Sequence, residues 1–168
     1  LEYLLQDAID KGCNSVITAG AQQSNHCRQT AAACAQAKLK CFLLLGGNKP
    51  DQYDGNLLLS KIMGAEIYFT GDKRKGEDIE TLAADLRSKG LNPYIIPYGG
   101  SNIIGAKGFI EAVKELMEQM ADHKLIIDYI FFASSSGGTQ AGLTLGKIIY
   151  NLDARLMPVC IDKDEVNG

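Results

Sequence analysis

The feature that most constrains the fold of this chain is a regular alternation of short apolar segments with amphipathic ones. The pattern predicts six strands, over residues 15–19, 40–45, 66–70, 93–97, 129–133 and 155–161. It predicts six helices, over residues 1–11, 24–37, 55–63, 76–88, 102–120 and 140–151. Several strand segments are continuous apolar runs, which is typical of parallel strands covered on both faces. We therefore predict an α/β fold with a three-layer architecture around a parallel sheet.

A domain boundary is predicted near residues 97–102, which read PYGGSN. Proline and paired glycines interrupt regular structure, and Ser101 or Asn102 would cap the helix that follows. We predict a small α/β domain over residues 1–98, with its N-terminal helix, and part of a larger α/β domain over residues 99–168.

The net charge and the length of the apolar runs argue against two classes of partner. Its formal net charge is −3, whereas proteins that bind nucleic acid carry clustered Lys and Arg. The one dense basic run, residues 73–75, lies between Asp72 and Glu77 and reads as a solvated loop. No apolar run approaches the length of a membrane span. We expect neither nucleic acid nor membrane as a partner.

The cysteines indicate a reduced, cytoplasmic protein. Their number is odd, they show no C-x-x-C spacing, and four of the five lie in segments that read as buried helix or strand. Such cysteines behave as small apolar residues, so we predict neither a disulfide framework nor a metal site. The five are Cys13, Cys27, Cys34, Cys41 and Cys160.

The strongest chemical signal is the segment SSSGGTQAG, residues 134–142, which follows an apolar strand and opens an apolar helix. Paired glycines let the backbone approach an anion, and the first N–H groups of the helix then bind phosphate. The segment lacks the lysine of a triphosphate-binding loop and the G-x-G-x-x-G spacing of a dinucleotide site, so it suits a single terminal phosphate. A Ser/Gly-rich turn that only starts a helix is the less favoured interpretation.

A second polar turn, TAGAQQSNHCRQ over residues 18–29, also joins a strand to a helix. Ser24 could cap the helix and leave the next N–H groups free for a carboxylate. Both turns follow strand ends, so together they suit a ligand with two anionic ends. The competing interpretation makes Ser24 a plain cap and leaves Asn25 and His26 on the surface. We expect His26 to be a structural hydrogen-bonding group rather than a base, and Cys27 to pack rather than react.

Four segments resemble, in the same order, the family of D-cysteine desulfhydrase and 1-aminocyclopropane-1-carboxylate deaminase. They are residues 1–35, residues 54–69 (DGNLLLSKIMGAEIYF), residues 96–109 (IPYGGSNIIGAKGF) and residues 131–143 (FFASSSGGTQAGL). The resemblance covers nearly the whole chain. It implies fold type II of the pyridoxal-phosphate enzymes, with the cofactor held between a small and a large domain.

The resemblance also implies roles for individual residues. Asn25 would hydrogen-bond to the phenolic oxygen of the cofactor ring, and Ser24 would act in catalysis or touch the substrate. Ser24, Asn25 and His26 would together receive the substrate carboxylate. The cofactor phosphate would be held by four consecutive residues, namely Ser136, Gly137, Gly138 and Thr139.

Two parts of the family pattern lie outside this sequence. The lysine that binds the cofactor covalently belongs to a GNK-x-R-K-L segment upstream of the position of Leu1, and a substrate-side tyrosine belongs to a later C-terminal part. We therefore expect the chain to be truncated at both ends and to be inactive by itself.

For the intact protein the resemblance implies a pyridoxal-phosphate-dependent lyase that eliminates sulfide from D-cysteine and yields pyruvate and ammonia. Cys27 within QSNHCRQ favours this activity over the alternative, a 1-aminocyclopropane-1-carboxylate deaminase. A non-catalytic domain that binds a cofactor or anion stays open because the lysine is absent, whereas the glycine spacing counts against a nucleotide-binding oxidoreductase. The family also implies a small amino-acid substrate and a homodimer.

Overall fold

The structure, a computed structural model, describes residues 1–161 and divides the chain into two compact units. The first unit is Leu1–Gly100 and the second begins at Ser101. The division thus falls two residues beyond the boundary expected from the PYGGSN segment. No helix in the described part of the chain is long and apolar enough to pass through a bilayer.

The first unit contains a four-stranded, entirely parallel sheet in the order β3-β2-β1-β4. Its strands are β1 (Ser15–Ala21), β2 (Lys40–Gly46), β3 (Glu66–Phe69) and β4 (Pro93–Ile95). Its helices are α1 (Glu2–Asp10), α2 (Asn25–Ala37), α3 (Gly55–Ile62) and α4 (Ile79–Ser88), and a short 3₁₀ turn follows at Tyr98–Gly100.

The two central strands have helices on both faces. Ile17 and Phe42 pack with Ala83 of α4 on one face. Their neighbours along the strands, Val16 and Leu43, are fully buried on the opposite face, because successive strand residues point to opposite sides. The three-layer parallel architecture is therefore confirmed in this unit.

Strand register brings two turns to the same edge of the sheet. β1 and β2 pair in parallel from Ser15 with Lys40 to Ala21 with Gly46, so both strands end together. The turn that leads into α2 and the longer connection that leads into α3 therefore begin side by side. This edge is where ligands bind in open parallel sheets.

Most predicted boundaries differ from the structure by one to three residues, and two of the differences have a clear physical reason. Helix α4 begins at Ile79 rather than at residue 76, because Gly76 adopts a φ of +85° that a helix does not accommodate. Strand β4 ends at Ile95 rather than at Pro97, which has no N–H to donate to a neighbouring strand.

The second unit is a β–α–β arrangement with a long helix packed against it. It contains α5 (Ile103–His123), β5 (Tyr129–Ser134), α6 (Gly138–Tyr150) and β6 (Arg155–Cys160), and its two strands pair in parallel. Two glycines of α6 allow close approach to α5. A Cβ at Gly142 would lie 2.5 Å from Cβ of Phe109, and one at Gly146 would lie 2.8 Å from Cγ2 of Val113.

The two faces of the second-unit strand pair differ in exposure among the described residues. Ile130 packs into the small core beneath α5 and α6, but Tyr129 and Phe131 remain 50% and 67% exposed. The described helices of this unit cover only one face of the strand pair. Cys160, expected in a buried strand, is exposed for the same reason.

Candidate functional site

The first candidate site is the turn between β1 and α2, where Ser24 caps the helix as predicted. Ser24 has extended backbone angles, and its Oγ accepts a hydrogen bond from the Cys27 N–H at 3.2 Å. The N–H groups of Asn25 and His26 belong to the first turn of the helix and have no acceptor within it. These donors and the positive end of the helix favour an anion here.

Gly20 allows this turn to fold back closely on its strand. A Cβ at Gly20 would lie 2.8 Å from Sγ of Cys27 and 2.9 Å from Oγ of Ser24. The cap and the strand end therefore pack at a distance that only glycine permits.

A network of side-chain amides ties this turn to the start of α3. Asn56 Nδ2 donates to Oδ1 of Asn25 at 2.9 Å and to the carbonyl oxygen of Gln23 at 3.0 Å. Gln23 Nε2 donates to Oδ1 of Asp54 at 2.8 Å, and Gln23 Oε1 accepts the Asn56 N–H at 2.8 Å. The side chain predicted to meet the cofactor ring, Asn25, is thus held from a different part of the chain.

His26 is a neutral structural group whose tautomer follows from its partner. Thr18 Oγ1 donates its only hydrogen to the carbonyl oxygen of Ile96 at 3.0 Å, so it must accept from Nε2 of His26 at 2.9 Å. The remaining nitrogen, Nδ1, then carries no proton. Burial lowers the pKa of His26 to about 4, so the ring is neutral at pH 7. The hydrogen bond with Thr18 agrees with the expectation of a structural hydrogen-bonding histidine.

Cys27 packs in the core as expected, despite its place near a helix start. It is 2% exposed, and burial raises the pKa of its thiol to about 11, which the hydrogen bond with Ser24 only partly offsets. A thiol with this pKa is almost entirely protonated at pH 7 and is a poor nucleophile.

The basic segment 73–75 lies on the sheet edge beside this turn. Its side chains are exposed, as predicted, and Lys73 pairs with Asp78 at 2.7 Å. The stem of Arg74 nevertheless packs against β2, since a Cβ at Gly46 would lie 2.5 Å from Cγ of Arg74. The segment is therefore better described as a loop packed on the carboxyl end of the sheet than as a freely solvated one.

The second candidate site is the loop between β5 and α6. Gly137 is the N-cap of α6 with a φ of +84°, a conformation that favours glycine. Ser101 braces this loop, because its Oγ accepts the N–H of Gly138 at 3.2 Å and lies 2.5 Å from Oγ of Ser136. Asn102, rather than Ser101, caps α5 by accepting the Gly105 N–H at 2.7 Å.

The geometry of this loop fits a phosphate group. Gly137 has no side chain with which to cap α6, so the helix start offers its N–H groups to a ligand. A Cβ at Gly138 would lie 2.6 Å from Oγ of Ser101, so only glycine lets Ser101 pack this closely against the helix start. Ser136 and Thr139 flank these glycines with hydroxyl donors. The four predicted phosphate ligands therefore lie together at one helix start.

Each predicted set of residues is assembled within its own unit. The first unit groups Ser24, Asn25 and His26 at the start of α2, and the second groups residues 136–139 at the start of α6. Among residues 1–161, no cluster of three or more His, Cys, Asp or Glu side chains could hold a metal ion.

Several residues around these sites are not among those that the sequence patterns predict. Asn56 and Asp54 pair with residues 31 positions earlier, and Thr18 bonds to a carbonyl 78 positions later. The D-G-N triplet at residues 54–56 is a turn signal that marks a helix start, but its partner is visible only in three dimensions. Ser101 reads equally well as a helix cap.

Comparison with known proteins places these turns in a family. The family model described as "Pyridoxal-phosphate dependent enzyme" matches residues 1–159. A protein of Pyrococcus horikoshii, provisionally named a 1-aminocyclopropane-1-carboxylate deaminase, is 40% identical over 166 residues, or 97% of this chain and 50% of that protein. The D-cysteine desulfhydrase of Salmonella choleraesuis is 38% identical over 170 residues, or 97% of this chain and 51% of that protein.

A solved structure agrees with the same relationship. The crystal structure of an ACC deaminase homologue superposes with a TM-score of 0.88 and 40% identity, over 97% of this chain and 50% of that chain. The chain therefore spans about half the length of the curated relatives it matches.

Proposed function

The chain belongs to the pyridoxal-phosphate-dependent enzyme family, with a fold type II architecture, and from that premise we propose that it forms half of a D-cysteine desulfhydrase-like lyase. The observation that carries the proposal is the pair of glycine-bearing turns, each of which opens a helix after a parallel strand. One is suited to a carboxylate and the other to a phosphate. Pyridoxal 5'-phosphate and its amino-acid substrate carry these two groups.

In this proposal the loop after β5 binds the cofactor phosphate. Gly137 would present its backbone N–H, Ser136 and Thr139 would add hydroxyl donors, and Gly138 would exchange the Ser101 Oγ that accepts its N–H for the phosphate. The bound cofactor supplies an electron sink for the electron pair released at the substrate α-carbon. The remaining steps depend on groups of the protein itself.

The turn after β1 would bind the reacting end. The Asn25 amide would donate to the phenolic oxygen of the ring. Ser24 Oγ accepts the Cys27 N–H, and its hydroxyl would donate to the substrate carboxylate in place of its hydrogen bond with the Cys27 side chain. The first N–H groups of α2 would bind the same carboxylate, including the backbone N–H of His26. The His26 ring would not donate, because Nε2 is engaged by Thr18 and Nδ1 is unprotonated.

The desulfhydrase reaction would release sulfide, pyruvate and ammonia, and the deaminase reaction would yield 2-oxobutyrate and ammonia from the cyclopropane substrate. The relatives with these two names are similarly close, at 38% and 40% identity. Cys27, whose place in QSNHCRQ favoured the desulfhydrase, is buried against Gly20. Any influence it has on the substrate would therefore act through packing of the turn.

We also propose a cytoplasmic homodimer. Three cysteines are buried as free thiols, which fits a reducing compartment, and they are Cys27, Cys34 and Cys41. The neighbouring Cys34 thiol and burial both raise the pKa of Cys41, which keeps that thiol protonated. The homodimer rests on the family resemblance alone.

The proposal is tested on the full-length protein purified with pyridoxal phosphate. We expect a cofactor absorbance band, and release of sulfide and keto acid from D-cysteine at a higher kcat/KM than from L-cysteine or 1-aminocyclopropane-1-carboxylate. Ser24→Ala should lower kcat/KM by roughly tenfold to a hundredfold, because it removes a donor to the carboxylate. Ser88→Ala, which changes an exposed serine on α4, is the matched control.

Each negative result of these assays would revise a different part of the proposal. Turnover of the cyclopropane substrate with no sulfide from cysteine would replace the desulfhydrase by the deaminase. Cofactor binding without turnover of any amino acid would leave a binding domain. A full-length protein that shows no cofactor band would overturn the proposal altogether.

A further inference from the structure

We propose that Asn56 is a positioning residue that sets the direction of the Asn25 amide, turning Nδ2 of Asn25 outward as the donor to the phenolic oxygen of the cofactor. The inference rests on the proposed function, since it assumes that Asn25 meets the cofactor ring. It assigns a role to a side chain on a separate element, the first turn of α3.

The direction of the Asn56 amide is fixed by a backbone group. Its terminal nitrogen lies 3.0 Å from the carbonyl oxygen of Gln23, which can only accept a hydrogen bond. The atom that faces this carbonyl must therefore be the NH₂ group and not the oxygen. This orientation of the Asn56 amide follows from the hydrogen-bond partner alone and does not require the amide N and O atoms to be distinguished directly.

The direction of the Asn25 amide follows from that of Asn56. The second hydrogen of the Asn56 NH₂ group points to an Asn25 amide atom 2.9 Å away, which must be the acceptor Oδ1. Oδ1 of Asn25 is thereby engaged, and its Nδ2 lies at the opposite end of the planar amide. In the part of the chain that the structure describes, no hydrogen bond from this Nδ2 is found.

Two further hydrogen bonds and a close approach at Gly55 fix the backbone turn that carries Asn56. Its own N–H donates to Oε1 of Gln23 at 2.8 Å, and the other end of that side chain donates to the carboxylate of Asp54. Carboxylates accept only, so the Gln23 amide is also oriented without ambiguity. Gly55 has a φ of +47°, and a Cβ there would lie 2.6 Å from Oε1 of Gln23. All three residues of the D-G-N triplet thus hold the turn after β1.

The core anchors this arrangement from below. Leu57, next to Asn56, is 1% exposed, and the buried Ser60 hydroxyl donates to the Asn56 carbonyl oxygen at 2.8 Å. The amide of Asn25 is therefore held by a first helical turn that is itself fixed. If the Asn25 NH₂ group is already directed at the phenolic oxygen, it need not reorient when negative charge develops on that oxygen.

The variant Asn56→Asp tests the inference because it keeps the side-chain size and reverses the hydrogen-bond polarity. A carboxylate at residue 56 cannot donate to Oδ1 of Asn25, so the Asn25 amide should turn its NH₂ group inward and present oxygen to the cofactor. We expect the pKa of the cofactor phenol in the full-length enzyme to rise by about one pH unit, because the donor that stabilises its anion is lost. The pH dependence of the cofactor absorbance measures this shift.

Two further variants separate positioning from general damage. Asn56→Ala leaves Asn25 free to turn either way, so its shift should be smaller than that of Asn56→Asp. Asn92→Asp makes the same chemical change where the Asn92 amide donates to the carbonyl of Gly12 at 3.2 Å, away from the turn, and should leave the phenol pKa unchanged. Thermal unfolding of each variant reports loss of stability separately.

The order of the variants decides the outcome. An Asn56→Asp shift equal to or below that of Asn56→Ala would overturn the inference. So would a shift equal to that of Asn92→Asp. A wild-type enzyme that shows no cofactor band would instead be a failure of the proposed function. The wild-type spectrum therefore tells the two failures apart.

Discussion

The two strand-to-helix turns reach the same kind of helix start by different means. The turn before α2 is capped by the Ser24 side chain and held by the side chains of Asp54 and Asn56. The loop before α6 is capped by Gly137, which has left-handed backbone angles and no side chain, and is braced by the Ser101 hydroxyl, which accepts the Gly138 N–H. Side chains thus define the first turn and backbone defines the second. A phosphate needs only N–H donors, whereas a planar ring and a carboxylate need oriented groups.

The sheets beneath these turns also differ. In the first unit the central strands are buried on both faces, so the turn after β1 rises from a rigid base. In the second unit the described strand pair is covered on one face only, and its apolar side chains alternate between core and solvent. We therefore expect large-to-small substitutions to lower the free energy of unfolding much more in the first sheet than in the second.

The largest expected effect compares the sheets directly. Leu43→Ala in β2 should lower the free energy of unfolding by about 3 kcal/mol, because Leu43 is fully buried and the change leaves a cavity. Phe131→Ala in β5 should cost about 0.5 kcal/mol or less in this chain, since its ring is 67% exposed. Urea unfolding of the 168-residue chain measures both. Equal costs would show that the two sheets are equally buried in solution.

The second prediction tests the backbone-defined loop. Gly137 and Gly64 have nearly the same φ, +84° and +85°, and a Cβ at either would meet nothing within 4 Å. Substitution by Ala should therefore cost each a similar amount of stability, about 1–2 kcal/mol. Only Gly137→Ala should also weaken pyridoxal-phosphate binding by the full-length protein, by roughly tenfold to a hundredfold. Fluorescence titration with the cofactor measures the difference, and equal affinities for both variants would contradict a phosphate role for the loop.

The sequence predicts the features that depend on neighbouring residues, but not the contacts between residues far apart along the chain. All six strands and six helices occur where the apolar periodicity predicts them, and the Ser24 cap follows from neighbours three residues away. The contacts that orient the site residues join distant parts of the chain, such as Asn56 with Asn25 and Thr18 with the Ile96 carbonyl. Periodicity does not encode such partners. It also does not distinguish a strand buried on both faces from one buried on a single face when every residue in the run is apolar, as in β5.

The third prediction concerns the pH dependence of the side-chain-defined turn. Burial lowers the pKa of His26 to about 4 from 6.5, so between these pH values the unfolded chain binds more protons than the folded one. The free energy of unfolding should therefore fall as pH drops from about 6.5 toward 4. His26→Gln should reduce this fall. Urea unfolding at pH 7 and pH 5 compares the variant with the wild type, and an unchanged pH dependence in His26→Gln would show that His26 binds its proton equally well in the folded and unfolded states.

The smallest expected effect separates packing from charge in the loop beside the first turn. Arg74 and Lys75 are adjacent, exposed and equally charged, but only the Arg74 stem lies against the backbone of Gly46. Arg74→Ala should lower the free energy of unfolding by about 0.5–1 kcal/mol through lost stem packing, and Lys75→Ala should leave it nearly unchanged. Because the contact is apolar, the difference should persist at high salt, where an exposed ion pair would be screened. If the difference in stability between the two variants disappears at high salt, Arg74 stabilises the protein through its charge and not through packing of its stem.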